Sequence, residues 1–191
     1  MNKAVFLDRD GTINEEVNYL YKPPDLKLIP GTIEAINIFH DMGYKVIVVT
    51  NQAGVARGYY SENDIVALHK YIDSLLIEGG AFLDKYLFCP HHPQGIKEGY
   101  NIKCDCRKPE TGMIEKASME FDLDLPSSII IGDKEIDIQT GKNARIGTCI
   151  LVRTGYPVNE SATRADYIFN DVKSFACFLK EKSHNGHSKY C

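Results

Sequence analysis

Residues 4–7 are apolar without interruption and run straight into Asp8-Arg9-Asp10-Gly11. Such a run predicts a strand buried on both faces, as in a parallel sheet. In an extended chain, residues i and i+2 project to the same side, so Asp8 and Asp10 can address one point in space. Gly11 lets the chain turn sharply out of the sheet. Ligands of open α/β sheets bind outside the carboxyl ends of the strands, where this pair would stand. Two like charges so close need a cation between them or a shared proton. Either arrangement suits cleavage of a phosphate ester, with one Asp attacking and the other protonating the leaving oxygen. The alternative is a solvated acidic turn after a strand.

The same pattern recurs down the chain. Strands are predicted at residues 45–49, 85–88, 128–131 and 148–152, with a short edge strand at 166–169. Helices are predicted at 32–42, from Ser61 as N-cap, at 113–121, at 135–144 and at 172–182. Alternating strands and helices predict an α/β fold: a largely parallel, Rossmann-like sheet flanked by helices. The expected organisation is a single domain over residues 1–182 and a polar tail over 183–191. Residues 14–30 contain Pro23-Pro24 and Pro30 and are expected to loop over the Asp pair. Only one loop and one helix separate Asp10 from Thr50, which leaves no space for a cap domain.

Charge and cysteine content narrow the chemistry. The net charge of −4 gives no electrostatic footprint for nucleic acid, and no basic run suits an anionic membrane. Asp8 to Asp10 break the first apolar run, so no signal peptide is expected and the chain is placed in the cytoplasm. There, the six cysteines are thiols or metal ligands. Cys89-Pro90-His91 and Cys104-Asp105-Cys106 each space two ligands by one residue, so each pair can reach one ion. Four N/S ligands suit a closed, structural Zn²⁺ site. His92 should then point away. Cys149 and Cys177 read as packing residues and Cys191 as a tail thiol. The zinc loop leads directly into Arg107-Lys108 and would fix these two cations over the Asp pair.

Three strand ends therefore carry polar groups: Asp8/Asp10, Thr50/Asn51 and Asp133/Lys134. With Lys108 they supply a nucleophile, an acid, a hydroxyl donor, a cation and hard oxygen ligands for Mg²⁺. D-x-D-G-T, a strand-terminal Thr-Asn, a later Lys and G-D with a following acid resemble the motifs of the haloacid dehalogenase superfamily. By that resemblance Asp8 would form an aspartyl-phosphate, and Asp10 would act as general acid and then base. Thr50 and Lys108 would hold phosphoryl oxygens. Asp8, the Asp10 backbone carbonyl and Asp133 would bind Mg²⁺. R-D-G-T-I-N, T-N-Q-x-G-V-A-R-G, C-P-H-H-P-Q-G, C-D-C-R-K-P and G-D-K are similar to a zinc-loop subgroup, the heptose bisphosphate 7-phosphatases and histidinol-phosphate phosphatases. The resemblance implies a small phosphosugar substrate, heptose 1,7-bisphosphate before histidinol phosphate, acted on by a monomer. It places substrate contacts at Glu16, Val17, Asn18, Tyr19, Thr50, Asn51, Gln52, Ala53, Arg107, Lys108 and Lys134. Arg107 is a candidate for a second phosphate, because its fork binds one bidentately. A phosphate-binding regulatory module without turnover is the reading from another class.

Overall fold

Alternate residues of the central strands face opposite helical layers, and this accounts for their unbroken apolar runs. In the computed structural model, which describes residues 1–157 and 159–185, six parallel strands form one sheet in the order β3-β2-β1-β4-β5-β6. They are β1 (Lys3–Leu7), β2 (Tyr44–Asn51), β3 (Lys85–Cys89), β4 (Ile129–Gly132), β5 (Thr148–Val152) and β6 (Tyr167–Phe169). The helices are α1 (Thr32–Asp41), α2 (Glu62–Glu78), α3 (Gly112–Phe121), α4 (Glu135–Asn143) and α5 (Val172–Asn185). Val5, Leu7, Val48 and Ile131 pack with Phe39 of α1, Leu68 of α2 and Phe175 of α5. Phe6, Ile47, Val49 and Ile130 pack on the other side with Met113 and Ile114 of α3 and Ile138 of α4.

The sheet order reverses at β1, which lies between β2 and β4. That switch point opens a crevice at the strands' carboxyl ends, and β1, β2 and β4 all deliver polar residues into it. Local chemistry holds the elements in place. Ser61 caps α2: its Oγ accepts from Asp64 N–H at 3.3 Å, and its own N–H donates to the Asp64 carboxylate at 2.7 Å. Gly11 has φ +82°, the left-handed conformation that turns the chain away from β1.

One expectation about the chain's end changes. The last helix continues through residues 183–185, so the tail reading that began at Ser183 shifts there. No Gly or Pro interrupts the turn begun by Lys180, Glu181 and Lys182, which are good helix formers. Residues 186–191, including Cys191, lie outside the described residues. Cys149 is fully buried in β5, as a packing residue should be. Among the described residues no helix is long and apolar enough to cross a membrane.

His69 of α2 is buried against Tyr86 (ring centroids 4.3 Å apart) and its Nε2 has no hydrogen-bond partner. Burial, reinforced by the Arg9 charge, pulls its pKa down to about 3. The unfolded chain takes up this proton below its ordinary pKa of about 6.5, whereas the folded chain does not until about pH 3. Stability is therefore lost as pH falls through that window, by roughly 2 kcal/mol from this group at pH 5. Urea denaturation of His69→Phe should show a smaller loss between pH 7 and pH 5 than the parent. Equal losses in both proteins would remove His69 as the cause.

Candidate active site

Asp8 follows β1, Asp133 follows β4, and Asp137 lies in the first turn of α4. Carboxylate oxygens of all three lie within 4.8 Å of one another, and all three residues are buried. The Lys108 ammonium enters this cluster and spends its donors there: 2.8 Å to Asp8 Oδ1, 2.5 Å to Asp137 Oδ1 and 2.9 Å to the Val49 carbonyl. Burial alone would lower the Lys108 pKa, but Asp137 and Asp8 outweigh it and leave it raised. Burial raises Asp133 to about 7, helped by the Asp8 charge, and Asp137 to about 6. Lys134 adds a second ammonium 3.7 Å from Asp133 Oδ2, and two ammoniums still do not neutralise three carboxylates, so the charge balance leaves room for a cation.

Asp133 also has the free valence for one. Its Oδ2 accepts the Tyr156 N–H at 3.3 Å, but its buried Oδ1 has no partner. Two glycines press on this carboxylate. A Cβ on Gly11 would stand 2.6 Å from Asp133 Oδ2, and one on Gly155 would sit closer still. Hard oxygens, an orphan acceptor and a tight backbone cradle fit Mg²⁺. Asp137 is not singled out by number in the sequence, where only an acid following Gly-Asp is noted. Its signal was the spacing of four from Asp133, which turns it back on Lys134 N–H at 3.2 Å and so towards the cluster.

Above the cluster opens a cavity of about 280 Å³. Among the residues singled out in the sequence, Asp8, Asp10, Glu16, Asn18, Tyr19, Thr50, Asn51, Gln52, Ala53, Arg107, Lys108 and Lys134 line it. Val17 does not. It is exposed, on the tight turn closed by Leu20 N–H on the Val17 carbonyl. Asp133 lies beneath the floor rather than on the wall. Leu20, Tyr60 and Ile136 also line the cavity, and no short motif marked them. The Asp10 carboxylate sits apart from the acidic cluster, with Arg9 donating to it at 2.8 and 3.0 Å.

The wall is tied together across the chain. The Asn51 amide accepts the Lys108 N–H at 3.0 Å and donates to the Lys108 carbonyl at 3.1 Å, fixing the lysine's backbone. Lys134 reaches Glu16 at 2.9 Å and joins the 14–30 loop to the start of α4. Arg107 donates to the His91 carbonyl at 3.1 Å. Among the described residues Arg107 makes no ion pair, so its charge is available to the cavity.

The loop carrying Arg107 and Lys108 has its own anchor. Cys89, the last residue of β3, lies with His91, Cys104 and Cys106 so that all four ligand atoms fall within 4.8 Å. Neighbouring spacings are 3.5 Å (Cys89–Cys104), 3.3 Å (Cys104–Cys106), 3.7 Å (Cys89–His91) and 3.5 Å (Cys106–His91). A tetrahedron with Zn–S bonds of about 2.3 Å has edges of roughly 3.8 Å, which these spacings approach. Burial pushes both the Cys89 and Cys106 thiols up, Cys106 to about 11, and a bound dication reverses that direction. The donor set fits zinc. His92 stays out of the cluster, its Nδ1 accepting Gln94 N–H at 3.1 Å.

Comparison with known proteins gives concordant findings. The HAD hydrolase family model described as "HAD-hyrolase-like" matches residues 105–175. The D-glycero-beta-D-manno-heptose-1,7-bisphosphate 7-phosphatase of Photorhabdus laumondii is 46% identical, over 93% of this chain and 95% of its own. The D-glycero-alpha-D-manno-heptose-1,7-bisphosphate 7-phosphatase of the same organism is 45% identical, over 85% of this chain and 89% of its own. The solved structure of D,D-heptose 1,7-bisphosphate phosphatase from B. bronchiseptica, complexed with magnesium and phosphate, superposes with a TM-score of 0.79. It is 28% identical and covers 94% of this chain and 99% of its own.

The anchor yields a direct test. Elemental analysis of the purified protein should find one zinc per chain, and Cys104→Ser should lose nearly all of it with a clear drop in melting temperature. His92→Ala should keep its zinc. Full occupancy in Cys104→Ser would refute this ligand set.

Proposed function

The chain belongs to the haloacid dehalogenase-like family of heptose 1,7-bisphosphate 7-phosphatases, and on that premise we propose how its residues carry out the hydrolysis of the 7-phosphate of D-glycero-D-manno-heptose 1,7-bisphosphate. Asp8 is the nucleophile. Its carboxylate attacks phosphorus as the C7 oxygen leaves with a proton from Asp10, giving an aspartyl-phosphate. Asp10, now ionised, takes a proton from water as that water attacks phosphorus and frees Asp8. The Thr50 hydroxyl holds a phosphoryl oxygen through both halves, and so does the Lys108 ammonium, whose donor to Asp8 passes to the phosphate as the Asp8 carboxylate attacks. Mg²⁺ would be held by Asp8, the Asp10 backbone carbonyl and Asp133, and would supply the positive charge that lets a carboxylate approach a phosphate. Asp137 acts on Lys108, keeping the ammonium charged and aimed at Asp8.

The observation that carries this reading is the Asp8–Lys108–Asp137 arrangement on the floor of a cavity that also opens on an unpaired Arg107. Arg107 is the reason to prefer a bisphosphate. Its guanidinium offers the second phosphate a bidentate partner, whereas histidinol phosphate would bring a cation towards it. Zinc at Cys89, His91, Cys104 and Cys106 serves structure, holding the loop that presents Arg107 and Lys108. A small phosphosugar partner and a monomeric state are what the family resemblance implies. One catalytic domain reaching through α5 rests on the fold, and a cytoplasmic location without nucleic-acid or membrane partners rests on composition.

Two variants test the proposal. Asp8→Asn should lower phosphate release from the heptose bisphosphate by about a thousandfold or more, with zinc content and melting temperature retained. Near-normal turnover by this variant would end the nucleophile assignment. Arg107→Ala should raise KM for the bisphosphate by about 10- to 100-fold, the worth of a charged hydrogen-bonded contact, and leave KM for heptose 7-phosphate little changed. A matching rise for both substrates would place the second phosphate elsewhere.

A further inference from the structure

We infer that Gln52, set in orientation by Tyr60, is a positioning residue for Asp10 rather than a contact for the sugar. Four donors surround the Asp10 carboxylate. Arg9 Nε (3.0 Å) and Asn14 Nδ2 (3.0 Å) reach Oδ1, while Arg9 Nη2 (2.8 Å) and Gln52 Nε2 (3.0 Å) reach Oδ2. With donors on both oxygens the carboxylate is held against rotation, and the proton that Asp10 delivers in the proposed reaction takes the place of one of these contacts. Arg9 is itself wholly buried and additionally held by the Leu20 carbonyl at 3.1 Å.

Gln52 is the member that couples this clamp to the rest of the site. Its Nε2 donates both to Asp10 Oδ2 and to Thr50 Oγ1, at 3.0 and 2.9 Å, and so spaces the proposed acid from the proposed phosphate-holding hydroxyl. An amide can be reversed, and here the surroundings select one sense. Gln52 Oε1 accepts Tyr60 Oη–H at 2.8 Å and Arg9 Nη2–H at 3.3 Å. Reversal would set an oxygen against the Asp10 carboxylate and an NH₂ against the Arg9 guanidinium, two repulsive contacts. Both Gln52 hydrogens and its oxygen are thus spoken for within the protein, and the residue is 2% exposed. Although it forms part of the cavity wall, it has nothing left with which to recognise a hydroxyl group. Tyr60 stands one shell further out, stacked on Tyr21 with ring centroids 5.3 Å apart, and its hydroxyl is the fixed point from which the amide is set.

The inference rests on the reading that Asp10 protonates the leaving oxygen, and its test separates the two. First-turnover release of alcohol, measured by rapid quench, reads phosphoryl transfer to the enzyme alone. Two small esters without a sugar are compared: p-nitrophenyl phosphate, whose leaving group departs without a proton, and glycerol 3-phosphate, whose alkoxide does not. Tyr60→Phe and Gln52→Leu should each lower the glycerol-to-nitrophenol rate ratio by about tenfold or more, part of the 10²–10⁴ that general acid catalysis supplies. Asp10→Asn should lower the same ratio further. If Asp10→Asn depresses both esters alike, the acid assignment fails. If Asp10→Asn is selective but Tyr60→Phe leaves the ratio unchanged, the positioning role fails. A Gln52→Leu defect seen only as a higher KM for heptose bisphosphate would return Gln52 to substrate binding. Tyr60→Phe keeps the ring and its packing, so the test survives if Gln52→Leu does not fold.

Discussion

An ammonium sealed between two carboxylates, with a third alongside, is the contact on which this structure turns. Lys108 is 2% exposed, and Asp8 and Asp137 both lie against it. Removing the ammonium would leave the buried carboxylates facing one another uncompensated, which costs several kcal/mol. The two carboxylates come from the end of β1 and the start of α4, and the lysine arrives from the loop that follows edge strand β3. The site can therefore assemble only after the loop has reached its final position. Within residues 90–107 apolar packing is limited, with Tyr100 against Val55, Tyr60 and Ile65. The Cys/His cluster supplies the rest, rooted at one end in β3. Electrostatics at the floor and metal ligation in the loop are two halves of one requirement.

That division of labour shapes the cover of the cavity. Among the described residues no cap domain closes it. Its walls are the 14–30 loop, the 53–60 turn and the Cys/His loop, and each is bound to a neighbour by polar contacts. Glu16 meets Lys134, Asn51 grips the Lys108 backbone, and the Ala56 carbonyl accepts the Ile96 and Lys97 amides. Tyr100 adds a 2.6 Å hydrogen bond to Glu62 at the start of α2. Such contacts cost less to break than a packed core. The entrance can then yield to a substrate while the floor stays rigid.

Much of this was legible in the sequence, because burial on both faces leaves a plain mark. The runs at residues 4–7, 45–49 and 128–131 announced central parallel strands, and their polar ends pointed to the crevice. The paired ligand spacings around Cys89 and Cys104 pointed to a four-ligand cluster, and the structure gathers those four side chains. What escaped notice has physical reasons. Asp137 looked like an ordinary acid in a helix's first turn, where acids are common. Tyr60 and Leu20 reach the cavity through chain reversals that leave no periodic signal. Val17 stays off the cavity wall because neighbours in a loop need not share a direction. Arg9, between the two aspartates, would be expected on the opposite side of an extended strand. The turn at Gly11 instead folds its guanidinium back onto Asp10.

The two glycines against Asp133 carry a separate consequence. Neither has a side chain that could bind, donate or react, so an inventory of chemical groups passes over both. Yet a single methyl at position 11 or 155 would invade the space of the carboxylate beneath the cavity floor. A replacement at either glycine would therefore act on the carboxylate without touching any reacting group, by displacing Asp133 from the place it holds beneath the floor.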